Sequence, residues 1–216
     1  MNGSVAAAVG SGPKAGNGSL ALLGLAALGA LIFIAVAALP YYLRIDEGQF
    51  RHYWPMRGWL LTHISMGVVA LLTGPVQLWL GLSDRYPALH KNMGFVYMAA
   101  VVLGAVAAYY LAFNTAGGVV FGSGLAGLAT AWLATTGLAF LAIKRHLYEQ
   151  HKEWMIRSYV VTFAFVTFRA FDSVLEARGM PLLDHIGISA WFCWSVPLLL
   201  NEVVLQGRKI LAVNPD

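Results

Sequence analysis

Two stretches decide the fold: Asn92–Phe113, NMGFVYMAAVVLGAVAAYYLAF, and Gly118–Ile143, GVVFGSGLAGLATAWLATTGLAFLAI. Neither contains a charged side chain, and only Asn114–Gly117 separates them. Each exceeds the roughly 20 apolar residues that carry a helix across a bilayer's hydrocarbon core. So short a connection folds them into a tight antiparallel hairpin. Working outward, four more apolar stretches follow the same rule, at Ser19–Leu39, Gly58–Leu82, Glu153–Leu175 and His185–Gln206. The expected fold is all-α: a polytopic membrane protein of six transmembrane helices, spanning residues 18–216 behind a flexible N-terminal tail, 1–17.

Composition points the same way. Charged residues make up 11% of the chain and hydrophobic residues 59%, with a mean hydropathy of +0.67. An ordinary soluble domain carries about 25% charged residues, and a chain of this size cannot bury so much apolar surface in its own core. Membrane lipids are therefore part of its solvent. The net charge of +4 lies in loops, where it sets topology and meets anionic headgroups, so no nucleic-acid partner is expected. Cys193 is the only cysteine and lies inside the sixth stretch, which excludes an intrachain disulfide. The first stretch is longer than the hydrophobic region of a signal peptide and is read as an uncleaved span.

Six crossings put both termini on one side. That side carries Lys14, Arg85, Lys91, Lys144, Arg145, Lys152, Arg157, Arg208 and Lys209, against Arg44, Arg51, Arg57 and Arg178 on the other. The excess of basic residues marks the cytoplasmic side, so both termini are expected there. Pro40–Arg57, with Tyr41, Tyr42, Tyr53 and Trp54, has the composition of a headgroup-level segment on the outer side.

Residues three and four apart share one face of a helix. The second stretch gives His63, Gly67, Ala70, Gly74 and Gln77; the third gives His90, Gly94, Tyr97, Val101, Gly104 and Ala108. The fourth gives Ser123, Gly127, Thr130, Ala134 and Gly137, and the fifth gives His151, Met155, Ser158, Thr162, Phe165, Arg169 and Asp172. Small residues on such faces let helices approach closely in lipid, and polar ones face the bundle interior. Stretches two to five, about 58–175, are thus expected to form a four-helix core. The first stretch is left as a peripheral helix, and Pro197 should kink the sixth.

Depth sorts the ionisable groups into two clusters. His90, His146 and His151 lie at the cytoplasmic edge, with Arg157 and Glu202 about a turn deeper. His63, Arg169, Asp172 and His185 lie near the outer edge. His151 and Arg169 are eighteen residues apart, five full turns or about 27 Å of helix.

Three readings of the cytoplasmic cluster stand side by side. A b-type haem needs two imidazoles from facing helices at one depth, with cations near its propionates. His90 and His151 would supply the iron ligands, Arg157 and Lys152 the propionate partners, and Gly94 the room for the porphyrin plane. The histidines could instead cap or snorkel at the interface, or His146 could join the pair around a metal ion. In the outer cluster, His63, Arg169 and Asp172 could bind a quinone headgroup or relay protons. The plainer reading there is an ion pair between Asp172 and Arg169.

The run from His151 through Lys-Glu-Trp-Met-Ile-Arg-Ser to Tyr159, with Phe168-Arg169 beyond it, resembles a family of uncharacterised bacterial membrane proteins known as a domain of unknown function. Also matching are His63 with Gly74-Pro75-Val76-Gln77, His90-Lys-Asn-Met-Gly94 with Tyr97, and Trp132 with Thr135-Thr136. The resemblance covers about Gly58–Arg169. Lys91 and Lys152 stand where the family usually has arginine. The family's core looks like that of the ascorbate-reducible cytochromes b and ferric reductases, in which histidines on alternate helices hold two haems. His90 and His151 match one such pair, and of the other only His63 remains, so the resemblance implies one haem at most.

The resulting expectation is a single-haem b-type electron-transfer protein with its haem on the cytoplasmic side, exchanging electrons with quinone. The alternatives are an accessory subunit of a larger membrane complex and a small-molecule or proton transporter built on Arg169 and Asp172.

Overall fold

A computed structural model describes residues 17–83 and 86–212. The expected tail falls outside the described residues except for Asn17, as do Lys14 and Arg85. The helices are α1 (Asn17–Phe33), α2 (Pro40–Leu43), α3 (Glu47–Phe50), α4 (Arg57–Ser83), α5 (Pro87–Phe113), α6 (Gly118–Lys144), α7 (Tyr148–Thr162), α8 (Ala164–Ala177) and α9 (Leu182–Ala212). Among the described residues, five helical stretches are long and apolar enough to cross a membrane: Ala21–Leu43, Glu47–Gly81, Pro87–Phe113, Gly118–Lys144 and Leu182–Ala212.

The expected fifth stretch, Glu153–Leu175, is instead two helices meeting at Phe163. The carbonyl of Phe163 accepts from Val166 N–H at 2.9 Å, a tight i→i+3 turn. Hydroxyl groups bonded back onto the preceding turn bend helices. Thr162 donates to the Ser158 carbonyl at 2.9 Å and Thr167 to that of Phe163 at 3.2 Å, one on each side of the break. The Lys144–Lys152 link expected as a loop is only Arg145–Leu147. His146 there has a left-handed φ of 59°, and Leu147 N–H reaches the Ala142 carbonyl at 2.9 Å, which closes α6 with a Schellman turn. Gly179, at φ 78°, closes α8 the same way, with Met180 N–H on the Leu175 carbonyl.

Near the end of the first stretch the chain widens into a π turn over Ile34–Ala38, with Leu39 N–H on the Ile34 carbonyl at 2.8 Å. Pro40 follows immediately. A proline ring clashes with the carbonyl four residues before it, and the extra residue in the turn relieves that clash. α9 runs through Pro197 as one helix.

Helix α4 packs on α5, α5 on α6, α6 on α7, and α7 back on α4; α9 lies along α6, α7 and α8, and α1 along α4 and α8. Large apolar side chains cover the outside of this assembly, among them Leu22, Leu25, Leu103, Val106, Val119 and Leu199. Inside, Ala70, Tyr97, Val101, Ala129, Trp132 and Val161 form a contiguous buried cluster. The stripes of α4 and α5 face it. The stripe read on α6 does not: Ser123, Thr130, Ala134 and Gly137 are exposed, and α6 buries Gly124, Ala129, Trp132, Thr135, Thr136 and Ala139 instead. Thr130 needs no interior partner, because it donates to the Ala126 carbonyl and meets the Tyr109 hydroxyl. Small residues alone were a misleading guide to the packed face.

The polar groups of the cluster close on one another. Tyr97 hydroxyl lies 2.8 Å from Ser158 Oγ and 2.7 Å from Thr162 Oγ1, Trp132 Nε1–H donates to Thr162 Oγ1 at 2.7 Å, and Thr136 hydroxyl lies 2.7 Å from Ser158 Oγ. Because Thr162 spends its own hydrogen on a carbonyl, the directions follow: Thr136 donates to Ser158, Ser158 to Tyr97, and Tyr97 to Thr162.

Gly74-Pro75 seats the next ring. Pro75 has no N–H for the Leu71 carbonyl, and Tyr159 hydroxyl donates to that oxygen at 3.4 Å. A Cβ on Gly74 would collide with the Tyr159 ring, whereas one on Gly137 would meet nothing within 4 Å. Gly74→Ala should therefore lower stability in detergent by about 1–3 kcal/mol. Gly137→Ala should leave it unchanged or raise it by up to about 1 kcal/mol, through helix propensity. Thermal unfolding of the two variants checks this; equal effects would contradict the seating of Tyr159.

Candidate functional site

Ionisable groups gather at the two ends of the bundle. At the end where α5 and α7 begin, the His90 and His151 rings approach to a centroid separation of 6.4 Å, with planes at 88°. The two helices are not neighbours in the ring of α4–α7, so the imidazoles meet across the bundle axis. His151 Nδ1 lies 2.9 Å from the Ala139 carbonyl. A carbonyl only accepts, so Nδ1 carries the hydrogen and the neutral ring keeps its Nε2 lone pair. This is the backbone-fixed tautomer usual in metal-ligating histidines. His90 Nδ1 is buried without a hydrogen-bond partner among the described residues. Gln77 Nε2 donates to the His90 carbonyl at 2.6 Å, tying the end of α4 to the first turn of α5.

The other residues assigned to this end sit differently. His146 is exposed and lies against Tyr148, so it does not join the pair. The space at Gly94 is met by Gln77, whose Nε2 would be 3.5 Å from a Cβ there. Lys152 pairs with Glu149 at 2.9 Å on the surface. Arg157 is committed to carboxylates: Nη2 lies 2.7 Å from Glu202 Oε2 and Nη1 3.5 Å from Glu153 Oε2, with Trp154 beneath the guanidinium. Lys209 closes the group on Glu153 at 2.7 Å. Glu153 lies one turn before Arg157, a signal present in the sequence and overlooked in assigning Arg157 to a propionate.

The opposite end carries a cavity of about 190 Å³ between α4, α6, α7, α8 and the π turn after α1. Its walls are mainly apolar (Phe33, Leu128, Trp132, Phe165, Phe168), and His63, Arg169, Tyr41 and Tyr53 also line it. His63 Nδ1–H donates to the Gly104 carbonyl at 3.1 Å and its ring lies against Phe165, so Nε2 is the free nitrogen. Asp172 does not pair with Arg169; its Oδ1 lies 2.9 Å from His185 Nε2. The segment before α4 covers this end, with Phe50 buried between Tyr41 and Trp54 and His52 Nε2 accepting from Ala116 N–H in the α5–α6 turn.

Apolar helices enclosing a polar interior, with ionisable side chains concentrated toward the two ends, define an integral membrane protein. Residues 60–205 match the predicted membrane protein family DUF2306, and the chain belongs to that family. No curated protein and no solved structure matches it.

Arg157 and Glu202 join α7 to α9, and a lone charge at the centre of a membrane helix costs about 2.5–3.5 kcal/mol on insertion scales. Arg157→Gln and Glu202→Gln should each lower the unfolding temperature in detergent, and the double variant should lose less than the sum. A double-mutant cycle with no coupling energy would contradict the pairing.

Proposed function

We propose that the protein is a six-span bacterial inner-membrane protein that carries one b-type haem between His90 and His151 and transfers single electrons. α7 and α8 together make the fifth crossing, α4–α7 form the four-helix core, and both termini are cytoplasmic. The observation that carries the reading is the imidazole pair: two rings from non-adjacent helices, 6.4 Å apart, one with its Nδ1–H anchored on a backbone carbonyl. Metal–imidazole bonds are about 2 Å long, and two rings at that separation are close enough that they would share one iron.

His90 and His151 would hold the haem iron through their imidazole nitrogens. Bound between two imidazoles, the group supplies a one-electron couple whose potential is set by its ligands and their surroundings. Ala139 orients His151 and fixes its tautomer by accepting the Nδ1 hydrogen. Gln77 holds the first turn of α5, and with it His90. Arg157 and Lys152 are engaged with carboxylates, so the reading rests on the imidazoles and not on those cations.

The cavity at the opposite end supports quinone as the exchange partner. An apolar chamber with a few convergent polar groups is the usual form of a small-molecule site, and about 190 Å³ accommodates a single ring, since an engineered apolar cavity near 150 Å³ binds benzene. His63 Nε2 and the Arg169 guanidinium would address the carbonyl oxygens of the headgroup.

Protein expressed with ample haem should show a Soret band and, after dithionite reduction, the sharp α band of low-spin haem. His151→Ala and His90→Ala should each abolish it, and Arg157→Gln should retain it. Absence of Soret absorption from the purified wild-type protein overturns the proposal.

A further inference from the structure

The α8–α9 corner holds a second group of ligating side chains, apart from the His90–His151 pair. Asp172 and Glu176 are one turn apart on α8, and His185 lies in the first turn of α9. One ligand atom from each of the three lies within 4.8 Å of the others. Two carboxylates at i and i+4 repel each other, and Asp172 is buried.

The tautomer of His185 sharpens the point. Its Nδ1 lies 2.8 Å from the Pro181 carbonyl and must donate to it. In the neutral ring Nε2 then carries only a lone pair, and it lies 2.9 Å from Asp172 Oδ1. That contact does not have the geometry of a hydrogen bond, and both atoms are buried without another partner among the described residues. His185 is wholly buried and Asp172 is 5% exposed. Two acceptors held this close require a positive centre between them, either a proton or a metal ion. Neither Arg169 nor Arg178 forms an ion pair with these carboxylates among the described residues.

We propose that Asp172, Glu176 and His185 bind a first-row divalent cation of the zinc class. One imidazole with two carboxylates suits Zn²⁺ better than Mg²⁺ or Ca²⁺, which take oxygen ligands. Bonds of about 2.0–2.2 Å place the ligand atoms of one ion within about 4.4 Å of one another. The present spread of up to 4.8 Å closes by rotation of Glu176, which is exposed. Three protein ligands leave the remaining position to water, and exposure on the Glu176 side gives the ion an entry path. The ion would also clamp α8 to α9 beside the stacked rings of Phe171 and Phe192, whose centroids are 4.3 Å apart.

The test is Zn²⁺ titration of tag-free, chelator-treated full-length protein in detergent, by calorimetry and by thermal unfolding. One equivalent should bind, the unfolding temperature should rise with Zn²⁺ but not with Mg²⁺, and His90→Ala with His151→Ala should leave both results intact. Glu176→Gln is conservative and exposed, and should fold normally. It should weaken binding by at least about tenfold, the size of effect seen on losing even an outer-shell partner, and His185→Gln should abolish it. If no Zn²⁺ binds, if Glu176→Gln binds as tightly as wild type, or if binding depends on His90 and His151 instead, the proposal falls. The contact is then an Asp172–His185 pair sharing a proton.

Discussion

The hydroxyl chain running through Thr136, Ser158, Tyr97 and Thr162, with the Trp132 indole on its last member, is the constraint on which the bundle depends. In hydrocarbon each unsatisfied polar group costs several kcal/mol, yet a satisfied interhelical hydrogen bond contributes only about 0.6 kcal/mol on average. The asymmetry makes the chain a device for specificity more than for stability. It is complete only when α5, α6 and α7 stand at one rotation and one depth. A one-residue slip of α7 would strand three hydroxyls among apolar side chains.

That constraint reaches the ends of the bundle. Ser158 sits two turns along α7 from His151, and Tyr97 two turns along α5 from His90, so fixing the middle fixes the approach of the two imidazoles. Gly74-Pro75 works on the same helix from the other side by seating Tyr159 on the Leu71 carbonyl. The backbone bonds that Thr162 and Thr167 make at the α7–α8 break let α8 leave the axis of α7. α8 then carries Arg169 to the cavity wall and Asp172 to His185.

The long apolar helices were legible in the sequence because lipid imposes a simple rule of length and composition, and the Asn114–Gly117 turn falls where spacing put it. The stripes of α4, α5 and α7 were legible because each carries an ionisable or hydrogen-bonding residue with an interior partner. On α6 the rule of small residues chose the wrong face, since Trp132, Thr135 and Thr136 pack through specific bonds that periodicity does not register. The α7–α8 break escaped notice because it is marked by threonine hydroxyls bonded to the backbone, with no proline or glycine at the break. The pairing of Arg157 with Glu202 across α7 and α9 joins two residues that the sequence places at equal depth. The contact between Asp172 and His185 joins two helices through a turn, and the sequence offered the nearer Arg169 in its place.

The proposal that His90 and His151 would hold one haem iron is tested most directly by electron paramagnetic resonance of the oxidised, haem-loaded protein. Two imidazole ligands should give a single low-spin ferric signal that His90→Ala and His151→Ala each remove. A high-spin spectrum from an iron with one protein ligand, or a low-spin signal that survives His151→Ala, would contradict it.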